Sequence, residues 1–246
     1  MSNNFAMLDI VDASNGFMMP HGNLYIPDSD KLIQPTKEFF DAIRPGMFEL
    51  ALVKNDTHFE GEYKHSEEAK IFPFHQGWKT FDHDYAVEVA ILAKKTAVYW
   101  MFKNKFDMWA DDASVGVPAN QIEFKNAEEE YMYEKLFHIA RRNDDGSYRF
   151  LMHRDIFMSY LTLKRVAIIG VAEDYCVRDA IIGYLKRGFE VTMLDDLTHG
   201  IYNPAQDPTG VNDWDELVEK HFADAVKSGQ LLTEKSGNYL AKLTAW

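Results

Sequence analysis

The chain has 246 residues, of which 46% are hydrophobic and 14% aromatic, enough to bury a sizeable core. Its net charge of −13 argues against an extended nucleic-acid surface, and no apolar run approaches the roughly 20 residues that span a bilayer. One cysteine excludes an intrachain disulfide, and the N-terminus does not resemble a signal peptide. We therefore expect a cytoplasmic protein that acts on a small neutral molecule, with neither nucleic acid nor a membrane as its partner.

Apolar runs alternate with helical patterns along most of the chain. The runs predict buried strands at residues 5–12, 48–54, 96–103, 164–171 and 189–195. Amphipathic or capped segments predict helices at residues 36–43, 127–142, 155–163, 177–187 and 214–227. Such alternation is typical of an α/β fold, a parallel sheet flanked by helices on both faces. Without a recognisable linker, we expect one domain over residues 1–246, with an inserted helical and loop excursion at about 107–148.

Four of the predicted strands end on or near a residue that is able to take part in catalysis. Asp12, Asp56 and Lys103 lie at three strand ends, and Cys176 follows a fourth at an expected helix start. Chemistry in open parallel sheets collects at this carboxyl edge. Because a helix dipole and free N–H groups favour a thiolate, Cys176 is a candidate nucleophile. The alternative is a small buried apolar residue, as most lone cysteines are.

A thiol nucleophile needs a base, a neighbouring cation and donors for an oxyanion. Asp12 can act as the base, and the charge of Lys103 can lower the thiol pKa. The turn at residues 170–172 and the N–H of Cys176 can supply the donors. Structural alternatives exist, since Asp12 could cap the next turn and Lys103 could form a solvated pair with Lys105. Taken together, the three residues predict attack on an amide carbonyl.

A second group of polar residues offers metal ligands. Asp56 and His58 follow the second predicted strand, and His75 lies downstream. These three residues suit a borderline cation such as Zn²⁺ or Fe²⁺. The spacing alone does not separate a metal site from a hydrogen-bonded turn. His65, in the intervening loop, is a further option as a fourth ligand.

Three segments resemble the signature motifs of the isochorismatase-like cysteine hydrolases. They are residues 11–17 (VDASNGF), 103–109 (KNKFDMW) and 170–177 (GVAEDYCV). The resemblance implies a flavodoxin-like α/β fold and a catalytic triad of Asp12, Lys103 and Cys176. It also implies a cis peptide bond between Val171 and Ala172. The N–H groups of Ala172 and Cys176 would then form the oxyanion hole.

The metal-ligand pattern is similar to the nicotinamidase branch of that family, in which Asp-x-His precedes Trp-Pro-Pro-His. Asp56, His58 and His75 fall on the ligand positions of that branch. There the metal holds a pyridine nitrogen, and Phe17 and Phe72 are the residues expected to pack against the flat ring. The resemblance implies a divalent cofactor, Zn or Fe, a homo-oligomer, and hydrolysis of nicotinamide to nicotinate and ammonia in NAD salvage.

Several positions depart from the family motifs around the expected pocket. Ser14 and Gly16 replace Gln and Asp in the first motif, Asp107 replaces Ser, and Glu173 replaces Thr. These changes leave open another small amide or C–N substrate, and also a non-catalytic ligand-binding protein on the same fold. A dinucleotide-binding oxidoreductase is disfavoured, because no Gly-x-Gly-x-x-Gly follows a predicted strand.

Overall fold

A mixed sheet of eight strands forms the centre of the computed structural model, which describes residues 6–204 and 210–244. The strands are β1 Ala6–Val11, β2 Phe48–Asp56, β3 Ala97–Lys103, β4 His138–Arg142, β5 Tyr148–His153, β6 Arg165–Val171, β7 Glu190–His199 and β8 Leu231–Glu234. Their order is β5-β4-β3-β2-β1-β6-β7-β8. Pairing is parallel from β3 to β8 across the sheet, whereas β4 and β5 are antiparallel additions beyond β3.

The helices of the described ranges lie between these strands, apart from the last helix, which follows β8. They are α1 Asn15–Met18, α2 Ile33–Ala42, α3 Glu60–Tyr63, α4 Ala127–Glu134, α5 Arg154–Tyr160, α6 Arg178–Lys186, α7 Trp214–His221, α8 Ala223–Ser228 and α9 Ser236–Thr244. The chain moves outward from β1 to β3 in one direction and from β6 to β8 in the other. Since parallel crossovers are right-handed, the two directions place their helices on opposite faces. The predicted α/β class is therefore confirmed.

All five predicted strands are present, with ends shifted by a few residues at most. Residue 5, the first of the predicted first strand, lies outside the described residues. Every residue of β1 is buried. That burial explains the continuous apolar run, because a central strand of a covered sheet packs on both faces. No helix in the described ranges has the length and apolar content needed to cross a membrane.

The predicted helix at residues 127–142 is wrong in its second half. Asn126 caps α4 by accepting the N–H groups of Glu128 and Glu129, but the helix ends at Glu134. Phe137 then takes a left-handed backbone with φ of 61° and donates its N–H to Phe102 in β3. Residues 138–142 pair with β3 and β5 instead of continuing the helix. Strand pairing thus outweighs the local helical preference.

Other differences lie at the edges of the sheet and near the C-terminus. The excursion expected at 107–148 is not only helix and loop, because it contributes β4 and the first residue of β5. The predicted helix at 214–227 is divided into α7 and α8 at Phe222, whose φ is −129°. The short strand β8 and helix α9 were not predicted, since four residues with two leucines make no distinctive run.

The sheet reverses its strand order at β1 and β6, and these two strands approach closely at their carboxyl ends. Gly170 pairs with Val11 and has φ of 116°. A Cβ atom at Gly170 would lie 1.9 Å from the Val11 carbonyl oxygen. Only glycine therefore fits this contact. The contact lies directly before Asp12 and the turn that carries Cys176, at the kind of switch point where ligands bind in such folds.

Replacing Gly170 with alanine tests the importance of this contact. Gly188 is a matched control, because its φ is 75° but no described atom lies within 4 Å of a Cβ placed there. We expect Gly188→Ala to lower the free energy of unfolding by about 1 kcal/mol through backbone strain alone. Gly170→Ala should cost about 3 kcal/mol, since overpacking is added to strain. Urea denaturation measures both, and equal losses would contradict the close-contact explanation.

Candidate active site

Asp12, Lys103 and Cys176 meet at the carboxyl edge of the sheet. Lys103 ends β3, and its Nζ lies 2.9 Å from Asp12 Oδ2 and 3.3 Å from Cys176 Sγ. Asp12 directly follows β1, and Cys176 lies in a π-helical turn, Glu173–Val177, that follows β6. All three residues are buried. The structure therefore brings together the three side chains that the sequence singles out, with Lys103 reaching past β2.

The Asp12 carboxylate is held at both of its oxygens. Its Oδ1 accepts the backbone N–H of Asp56 at 2.8 Å, and its Oδ2 faces Lys103. The backbone of Asp12 is left-handed, with φ of 51°, and its N–H donates to the Lys54 carbonyl. This turn at the end of β1 fixes the carboxylate beside the other two side chains.

Burial controls the protonation of Cys176. It raises the pKa of the thiol well above its ordinary range, and the neighbouring charge of Lys103 opposes this only in part. This balance favours a thiol at rest, whereas the expected helix start favours a thiolate, and the role of Cys176 as nucleophile stays a prediction. Burial would lower the pKa of Lys103, but the carboxylates of Asp12 and Asp56 raise it well above its usual value. Lys103 is therefore a permanent cation beside a thiol that needs a base.

A group of four buried side chains stands next to this cluster. Asp56, His58, Glu68 and His75 each present one ligand atom, and these atoms all lie within 4.8 Å of one another. The three ligands predicted from sequence are thus together, whereas His65 is absent from the group and lines another cavity. Glu68 escaped the sequence analysis because one glutamate in an acidic loop has no distinguishing pattern.

Both histidines present the same ring nitrogen to the centre of this group. The Nε2 atoms of His58 and His75 lie 3.1 and 3.2 Å from Asp56 Oδ2. The Nδ1 atom of His75 lies 2.8 Å from the Pro73 carbonyl, which can only accept a hydrogen bond. With Nδ1 donating to this carbonyl, Nε2 is the nitrogen available to a cation. Metal-binding histidines have this arrangement.

The unsatisfied carboxylate oxygens test whether a cation fits here. Oδ1 of Asp56 and both oxygens of Glu68 are buried and accept no hydrogen bond from the described residues. Burial raises the pKa of Glu68, and the nearby charge of Asp56 raises it further. These oxygens without hydrogen bonds are therefore available to a bound cation. Two carboxylates and two imidazoles suit a divalent metal of the Zn²⁺ or Fe²⁺ type.

A small cavity joins Cys176 to the metal-ligand group. Asp56, His75 and Cys176 all line it. Its apolar walls include both residues expected to contact a substrate, Phe17 and Phe72. Two further aromatic wall residues, Phe106 and Tyr175, were not predicted, because an aromatic residue in sequence is more often part of a core. The cavity measures only about 20 Å³, so an aromatic ring can enter only if wall side chains move.

The peptide bond between Val171 and Ala172 is cis, as the family resemblance implied. Ala172 and Cys176 both line the small cavity. The carbonyl oxygen of Ala172 accepts the N–H groups of Tyr175 and Val177, which closes the turn around Cys176. The role of the Ala172 and Cys176 N–H groups as an oxyanion hole stays a prediction.

One departure from the family motif has a steric explanation. A Cβ atom on Gly16 would lie 2.5 Å from Nε2 of Gln76 and 2.8 Å from Cβ of Asp82. Gln76 is completely buried. Its side chain and that of Asp82 therefore occupy the space that an aspartate at position 16 would need.

Comparison with known proteins agrees with this architecture. No family model matches the chain. It is 24% identical over 229 residues to a nicotinamidase of Saccharomyces cerevisiae, covering 89% of this chain and 98% of the relative. An isochorismatase-like hydrolase from Alkaliphilus metalliredigens superposes with a TM-score of 0.60 at 14% identity, covering 97% of this chain and 98% of that one. A pyrazinamidase of Pyrococcus horikoshii in complex with zinc gives 0.54 at 21% identity, covering 94% and 98%.

These similarities define the class by its fold. The chain has the fold of the isochorismatase-like hydrolases. Within that class, its similarities in sequence and structure include a nicotinamidase and a pyrazinamidase.

The choice between Glu68 and His65 as a metal ligand can be tested by zinc binding. We expect Glu68→Gln to weaken Zn²⁺ binding by about tenfold or more, because it removes an anionic ligand. His65→Gln should leave the affinity within about twofold, since His65 lies outside the ligand group. Competition against a chromogenic chelator measures both dissociation constants. The opposite ranking of the two variants would contradict this ligand set.

Proposed function

We propose that this protein is a metal-dependent amidase that hydrolyses nicotinamide to nicotinate and ammonia through a thioester on Cys176. One observation carries the proposal: Cys176, in contact with Lys103, opens onto the same aromatic-walled cavity as Asp56 and His75. A nucleophile and a metal-ligand group thus face one small apolar space. The sequence similarity to a nicotinamidase supports this choice of substrate.

The first half of the reaction forms the thioester. Asp12 takes the proton of the Cys176 thiol, and Lys103 stabilises the resulting thiolate. The sulfur attacks the carboxamide carbon, and the carbonyl electron pair moves onto oxygen. The N–H groups of Ala172 and Cys176 hold that oxyanion. When the tetrahedral intermediate collapses, Asp12 returns its proton to the departing nitrogen, and ammonia leaves.

The second half releases the acid. Asp12, again a carboxylate, takes a proton from water as the water oxygen attacks the thioester carbon. Collapse of this second intermediate breaks the C–S bond and yields nicotinic acid, which releases its proton to solvent and becomes nicotinate. The proton on Asp12 returns to sulfur, which restores the thiol. One carboxylate serves both halves because Asp56 and Lys103 hold it in place throughout.

Two parts of the site would bind the substrate: the aromatic walls of the cavity and the metal-ligand group. Phe17 and Phe72 pack against the flat ring. We propose that Asp56, His58, Glu68 and His75 hold a divalent cation, Zn²⁺ or Fe²⁺. When bound, the cation supplies a Lewis acid that can hold the ring nitrogen.

Loss of the thiol tests the proposed chemistry directly. Purified wild-type protein loaded with zinc should release ammonia from nicotinamide. Cys176→Ala should be slower by more than about 10³-fold, because no other group can form the thioester. Zinc affinity serves as the control for folding and should be unchanged. Equal rates of ammonia release in the two proteins would refute the thiol mechanism.

The influence of Lys103 on the thiol can be measured without substrate. Burial raises the pKa of Cys176 and Lys103 lowers it, so Lys103→Met should raise that pKa further. The rate of alkylation by iodoacetamide follows the thiolate fraction, and its pH profile should move to higher pH in the variant. Cys176 is the only cysteine, so mass spectrometry reports this site alone. Lys105→Met is the matched control and should leave the profile in place.

A further inference from the structure

We infer that Glu62 is a positioning residue for the metal site, because its carboxylate fixes the ring of His58 with Nε2 directed toward the other ligands. The inference rests on the proposed function only in taking the four-residue group as a metal site. Glu62 does not belong to that group itself. Its effect on a metal is therefore exerted through His58.

The two ring nitrogens of His58 have separate partners. Nδ1 lies 3.4 Å from Oε2 of Glu62, whereas Nε2 lies 3.1 Å from Asp56 and 3.3 Å from Glu68. Both nitrogens face carboxylates, which can only accept, so a cation held at Nε2 would leave the ring proton on Nδ1, where Glu62 accepts it. The same carboxylate oxygen accepts the N–H of Phe59 at 3.3 Å. Glu62 lies in α3, and its side chain reaches back past the extended Phe59 to His58.

The second oxygen of Glu62 is held by the segment after β3. Oε1 accepts Nδ2 of Asn104 at 2.8 Å, and the same amide nitrogen donates to the Ala113 carbonyl at 2.9 Å. The hydroxyl of Tyr133 also donates to Ala113. Both hydrogens of the Asn104 amide are therefore used, which fixes its orientation. Through this chain of contacts, the insertion at 107–148 supports the metal site.

Burial gives these contacts their importance. Glu62 and His58 are both completely buried. A buried carboxylate is costly unless it is hydrogen-bonded, and Glu62 receives donors on both oxygens. His75 differs, because its Nδ1 faces the neutral Pro73 carbonyl. A carboxylate partner raises the basicity of a histidine ligand, and loss of such a partner typically weakens metal binding by about 10- to 100-fold. His58 is thus the histidine whose binding to metal depends on a charged neighbour.

Zinc affinity of Glu62→Gln tests the inference. The matched control is Glu60→Gln, in the same short helix, whose exposed carboxylate pairs only with Lys125 among the described residues. The charge change is identical. We expect Glu62→Gln to raise the Zn²⁺ dissociation constant by about 10- to 100-fold and Glu60→Gln to change it by less than about twofold. A dissociation constant for Glu62→Gln within twofold of the wild type would overturn the inference.

A second measurement keeps the inference testable if Glu62→Gln does not fold. In zinc-loaded wild-type protein with ¹⁵N-labelled histidine, NMR should show a protonated Nδ1 and a zinc-bound Nε2 for His58. Zinc on Nδ1 would overturn the inference. Neither measurement uses substrate. Zinc binding that depends on Glu62, in a protein that does not hydrolyse nicotinamide, would refute the proposed function and leave this inference intact.

Discussion

The buried ammonium group of Lys103 is the interaction on which the rest of the site depends. It lies within 2.9 Å of Asp12, 3.3 Å of Cys176 and 3.6 Å of Asp56. It thereby joins the proposed nucleophile, the proposed base and one candidate metal ligand in a single charge network. An isolated charge could not remain in this interior. The ammonium group is stable there because these three neighbours stabilise its charge. In turn, the cation allows two carboxylates and a thiol to stand side by side.

In the proposed reaction, this network assigns a separate role to the thiol and to the base. The Cys176 thiol is protonated at rest, because burial raises its pKa more than Lys103 lowers it. A buried thiol of this kind is protected from oxidation until a base removes its proton. Asp12 stands ready for that step because a backbone N–H fixes one of its oxygens.

Much of this arrangement could be predicted from the sequence, for physical reasons. The central strands are buried on both faces, so they appear as apolar runs, and parallel pairing brings their carboxyl ends to one edge. Asp12, Asp56 and Lys103 were recognisable because each follows such a run. Glu68 was not, since a ligand in an irregular loop has no period. The incorrect helix after Glu134 shows the same limit, because pairing of residues 138–142 with β3 is a contact that local sequence does not encode.

The parallel order of the strands has a consequence for how the protein folds. The residues of the site come from positions 12, 56, 103 and 176, and they approach one another only after β1, β2, β3 and β6 have paired. Each pairing closes a long loop, which makes such topologies slow to form. A partly folded chain therefore holds neither the charge network nor the four ligands. A metal ion that binds this group would bind only the completely folded protein and would stabilise it by mass action. The last step of folding would then depend on the concentration of free metal.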